Sequence, residues 1–115
     1  PIQDDWLPAS VAALQLDRDN VYFRKILELT DGLLEAAQDT FIVGYTDLHP
    51  GGDAVAAFRD PQKLCIDMIE HPAEVQALVE RVTDDFLSVY DLYYERLTAA
   101  GMPSTTWLPA TCSGR

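Results

Sequence analysis

The sequence predicts an α/β fold in which two short parallel strands, over residues 41–45 and 104–108, are joined by a helical crossover. Residues 41–45, FIVGY, form a continuous apolar run rich in β-branched and aromatic side chains, as in a strand buried on both faces. Residues 104–108, STTWL, form a second such run. Between them apolar residues recur at spacings of three and four, the period of a helix. A strand, a helical crossover and another strand pair in parallel with a right-handed connection. The polar residues after each strand then lie at its carboxyl end, where α/β enzymes place their chemistry. Two strands cannot close a sheet, and the chain starts at Pro1 and stops at Arg115, just past the second strand. The expectation is therefore a segment of a larger barrel enzyme. A homo-oligomer that covers the open sheet edges is the other way to supply the missing surface.

Residues 1–19 read as an irregular N-terminal segment punctuated by Pro1 and Pro8, with room for a short helix over 9–16, and residues 20–115 as the domain proper. Asp19 or Asn20 caps a helix over 21–38. Tyr22, Ile26, Leu29 and Leu33 share one of its faces, and Phe23, Leu27 and Leu34 widen that stripe. After the strand, Pro50-Gly51-Gly52 makes a turn and a short helix follows over 53–59. Asp60-Pro61 starts another, because proline is tolerated at the first helical position behind an aspartate cap. Leu64, Cys65, Met68 and Ile69 are its expected buried face. His71-Pro72 repeats the punctuation and opens a long helix over 72–100. In it Val75, Leu78, Val79, Val82, Phe86, Val89, Tyr93 and Leu97 form the apolar side. Gly101 ends that helix and Pro103 prevents its continuation.

Composition narrows the function. With 8 Lys and Arg against 19 Asp and Glu, the net charge of −11 leaves no basic stripe to displace counterions from nucleic acid or to meet an anionic membrane. A hydrophobic fraction of 48% suffices for a core. No run approaches the ~18 apolar residues of a membrane span, and from the acidic N-terminal residues no signal peptide is expected. Cys65 and Cys112 form no disulfide framework, so a cytoplasmic location with reduced thiols is expected.

The chemistry-bearing stretch is TDLHPGGD, residues 46–53. Asp47 and His49 lie two residues apart, so in extended geometry both face one side. A carboxylate beside an imidazole orients it for acid–base work. The structural alternative is that Asp47 caps the next turn and His49-Pro50 is only a turn. Pro50-Gly51-Gly52 has neither phosphate-loop nor dinucleotide spacing. His49 and Cys112 are too few for a zinc site, which takes three or four ligands, so no metal is expected within the segment. Tyr45, Trp107, Thr111 and Cys112 are candidates for lining a substrate pocket, although Trp107 serves a core equally well.

The run VGYTDLHPGGDAVAAFRDP, the following HPAEV, the long helix ending in AAG and then STTWLPA resemble the central part of the uroporphyrinogen decarboxylase superfamily. More closely than the decarboxylases themselves, it resembles decarboxylase-like bacterial members of unassigned function, over roughly residues 20–115. The resemblance implies a (β/α)8 TIM barrel of which this chain holds about a third. Decarboxylases of the family act on a tetrapyrrole without metal or cofactor. Their methyltransferase relatives use zinc to activate a thiol and work with a corrinoid. The decarboxylase's substrate-contacting tyrosine falls near Gly51, which cannot replace it, and its serine falls near Thr111, which keeps a hydroxyl. The methyltransferases' zinc ligands fall outside this chain, so zinc or a corrinoid is implied only for a full-length parent. The expected activity is methyl transfer involving a corrinoid or a small methylated substrate, with Asp47 and His49 at the mouth. Decarboxylation of a tetrapyrrole or small molecule is the runner-up. A non-catalytic helical interaction module is the alternative from another class.

Overall fold

A computed structural model describes residues 11–38 and 40–103 of the chain. The described residues contain four helices: α1 (Val21–Ala37), α2 (Gly51–Arg59), α3 (Pro61–Glu70) and α4 (Pro72–Ala99). They contain no strand, which corrects the α/β class and the partial barrel expected above. Residues 41–45 are irregular backbone. A strand exists only by pairing with a neighbouring backbone, and no described residue pairs with this one. Its apolar content serves another purpose: Val43 is buried against Ala37 and Leu97, and Tyr45 packs on the same cluster. The second expected strand, at 104–108, lies outside the described residues.

Local chemistry sets the helix ends. The Asn20 side chain accepts hydrogen bonds from the backbone of Tyr22 and Phe23, at 2.9 and 3.4 Å, and caps α1. At the other end Gln38 takes a left-handed conformation. Asp60 does double duty. Its backbone N–H closes α2 on the Ala56 carbonyl at 2.9 Å, and its carboxylate accepts from Gln62 and Lys63 N–H to open α3 ahead of Pro61. Serving both helices forces Asp60 to φ 89°, a strained value for a residue with a side chain. Gly101, at φ 74°, terminates α4, with the Met102 N–H bonded back to the Leu97 carbonyl.

The chain divides into two compact units. Among described residues the first comprises 11–15 and 49–88. Its core is Val11, Val55, Leu78 and Val82, with Leu14, Ala54, Leu64 and Val79 packed against them. Arg81 donates through Nε to the Leu14 carbonyl at 2.8 Å and pairs with Asp85 at 2.9 Å, which ties residues 11–15 to α4. The expected buried face of α3 is corrected here. Leu64 is half-buried, but Cys65 and Met68 are exposed, Ile69 is 83% exposed, and the buried residue is Asp67.

The second unit comprises 16–48 and 89–103. Ala37, Val43 and Leu97 form its core, with Leu34, Tyr45 and Met102 around them. Tyr93 and Val89 are buried too. Arg96 makes an ion pair with Asp31, joining α4 to α1. On α1 the widening residues Phe23, Leu27 and Leu34 turn inward with Thr30 and Ala37. The primary stripe does not: Tyr22 is 77% and Leu29 61% exposed, and Ile26 and Leu33 are exposed as well.

The Tyr93 hydroxyl is fully buried with no hydrogen-bond partner among the described residues. Thr30 lies beside it, but its hydroxyl donates to the Ile26 carbonyl at 3.0 Å. Burial pushes the Tyr93 phenol above its ordinary value; Thr30 and the Arg96 charge oppose that rise, and Asp31 adds to it. The folded state therefore holds the phenolic proton more tightly than the unfolded chain does. This contribution is complete below about pH 10 and disappears as pH climbs through the folded value. Urea denaturation of Tyr93→Phe at pH 7 should match the parent protein to within about 1 kcal/mol, because the hydroxyl has no hydrogen bond to lose among the described residues. Above about pH 10 the parent should lose stability faster than the variant. Leu78→Ala should cost about 2–5 kcal/mol in the same assay, whereas Leu29→Ala should change stability by no more than about 0.5 kcal/mol.

Candidate functional site

Of the residues the sequence singles out, His49 has the most informative surroundings. It immediately precedes the Pro50 that caps α2, and the proline side chain offers no acceptor to the first turn. Gly51 begins the helix at φ 61°, a conformation that side chains rarely adopt. From that first turn Asp53 projects its carboxylate to 3.3 Å from His49 Nδ1. The helix starts two residues earlier than the sequence predicts, and this start puts Asp53 in its first turn. Both groups are exposed, at 58% and 79% of their side-chain surface, so the pair adds little to stability.

Asp47 belongs to the second unit, whereas His49 opens the described loop into the first. Its side chain is exposed, and it follows the half-buried Tyr45 and Thr46. The Tyr45 ring stacks on Tyr90 with centroids 4.8 Å apart and planes within 5°. That stack, together with the contact to the Ala37–Val43–Leu97 cluster, is a packing role for Tyr45. Trp107, Thr111 and Cys112 lie outside the described residues. Cys65, the described cysteine, is exposed.

A buried ion pair supports the helix that carries Asp53. Arg59, in the last turn of α2, donates to Asp67 of α3 through Nε at 2.6 Å and Nη2 at 3.2 Å. Both residues are buried. The fork-to-carboxylate geometry sets the angle of the α2–α3 corner. Sequence reading missed this pair because charged side chains are read as solvated. The available signal was an acid placed among apolar residues on the inward turn of α3.

A groove of about 380 Å³ opens in the first unit between Val11, Ala12, Ala73, Glu74, Ala77 and Arg81. Its lining is mostly aliphatic, and Arg81 is already engaged by the Leu14 carbonyl and Asp85. Among the described residues no group of three or more His, Cys, Asp and Glu is placed to hold a metal ion. Nor is any described helix long and apolar enough to cross a membrane.

Removing one member of the buried pair takes the opposite charge away from a buried ionised group. Arg59→Leu should therefore lower stability by about 3–5 kcal/mol in urea denaturation. Replacing Asp67 by leucine in that variant should recover most of the loss, because an apolar pair needs no compensating charge.

No family model, curated protein or solved structure matches this chain.

Proposed function

We propose that this chain is a segment of a uroporphyrinogen decarboxylase-like enzyme, cytoplasmic, acting by methyl transfer on a corrinoid-bound or small methylated substrate. The residue pattern across TDLHPGGD, the Asp60-Pro61 and His71-Pro72 helix starts and the Gly101 stop carries this reading. The choice of methyl transfer over tetrapyrrole decarboxylation rests on Gly51. It stands near the place of the decarboxylase's substrate-contacting tyrosine, and its φ of 61° is a backbone conformation that a tyrosine would strain. Zinc or a corrinoid would belong to the full-length parent.

The roles assigned to Asp47 and His49 are those of acid–base groups near the reacting atoms. Alanine at His49 or at Asp47, introduced into a full-length relative, should reduce turnover at least about tenfold with the protein still folded. Turnover equal to the parent's would remove that residue from the mechanism.

The exposed face of α1 favours a second reading, a non-catalytic helical interaction module. Tyr22, Ile26, Leu29 and Leu33 follow one another at spacings of four, three and four, and all are exposed. Sedimentation equilibrium separates the two. A monomer that stays disperse at high concentration supports the module. Self-association through these faces supports a segment whose partner surface lies in the rest of an enzyme.

A further inference from the structure

We propose that Asp53, rather than a group in the preceding loop alone, is the positioning residue that fixes which ring nitrogen of His49 carries the proton. The proposal rests on the reading of His49 as an acid–base group and adds the residue that prepares it for that work.

The geometry is local. His49 Nδ1 sits 3.3 Å from Asp53 Oδ2. Asp53 occupies the first turn of α2, at the positive end of the helix dipole. An ionised carboxylate only accepts hydrogen bonds, so the nitrogen that faces it must carry the hydrogen. The neutral ring is then protonated at Nδ1, which leaves the Nε2 lone pair as its basic site. Imidazole in water prefers the opposite tautomer, with the proton on Nε2. Gly51, at φ 61°, lets the chain turn from His49 into the first turn of α2 that carries Asp53. Exposure makes the contact weak as a contributor to folding, but tautomer choice needs only a small bias between two nearly equal states. Carboxylates orient metal-ligating and catalytic imidazoles through this same arrangement.

Long-range proton–nitrogen spectra of the 15N-labelled chain, recorded above about pH 8 where an ordinary histidine is neutral, read the tautomer directly. His49 should be predominantly Nδ1-protonated. Asp53→Ala should return the ring to the Nε2-protonated majority. An unchanged His49 spectrum in Asp53→Ala, or an Nε2-protonated majority in the parent chain, would overturn the proposal. Turnover in a full-length relative tests the underlying reading separately. A His49→Gln enzyme with undiminished activity would remove His49 from catalysis and leave the tautomer result standing.

Discussion

The apolar side of α4 is the constraint on which the described structure depends. Leu78 and Val82 close the core of one unit, and Leu97 closes the core of the other. Tyr93 and Val89, between them in sequence, are buried as well. A 28-residue helix far exceeds the length at which isolated helices are marginal. Its apolar side still needs surfaces to bury against, and each unit assembles on the part of that side it contains. The shorter helices α2 and α3, of 9 and 10 residues, have no such reserve. They are held by the Asp60 junction and the Arg59–Asp67 pair. The strain at Asp60 persists because its caps and that buried pair jointly determine the corner.

Helix boundaries were legible because local side-chain chemistry sets them. Asn20, Asp60-Pro61, His71-Pro72 and Gly101 each act on backbone groups within a turn, so their effect is already present in the order of residues. The inward face of a helix is a different kind of fact. On α1 periodicity shows Tyr22, Ile26, Leu29 and Leu33 as one face widened by Phe23, Leu27 and Leu34, and cannot say which part of it meets the core. The structure half-buries the Phe23, Leu27 and Leu34 side, beside the buried Thr30 and Ala37, and leaves the Tyr22 stripe in water. Residues 41–45 were misread for a related reason. A β-branched run suggests burial, but a strand also requires a neighbour; here Val43 is buried without one, and Phe41 and Ile42 stay exposed.

The candidate site divides along the same line. That His49 belongs to a chemically dense turn is written in the sequence. Its carboxylate neighbour is not, because Asp47 and Asp53 are both within reach of a flexible reading. Extended backbone favours the residue at i−2, whereas a helix that begins at Gly51 brings the residue at i+4 to 3.3 Å. A glycine at positive φ allows so early a start after Pro50, and no side-chain pattern marks it.

Charge and burial together explain why the exposed apolar faces matter. The chain carries a net charge of −11, and mutual repulsion at that charge keeps copies apart in general. Beside the α1 stripe, Lys25 is paired with Glu28, so that flank carries a compensated charge pair. Repulsion disfavours indiscriminate association, while the apolar strip still rewards a surface that matches its shape. That combination selects a specific neighbour over random aggregation, which is what both an enzyme segment and an interaction module require of the same helix.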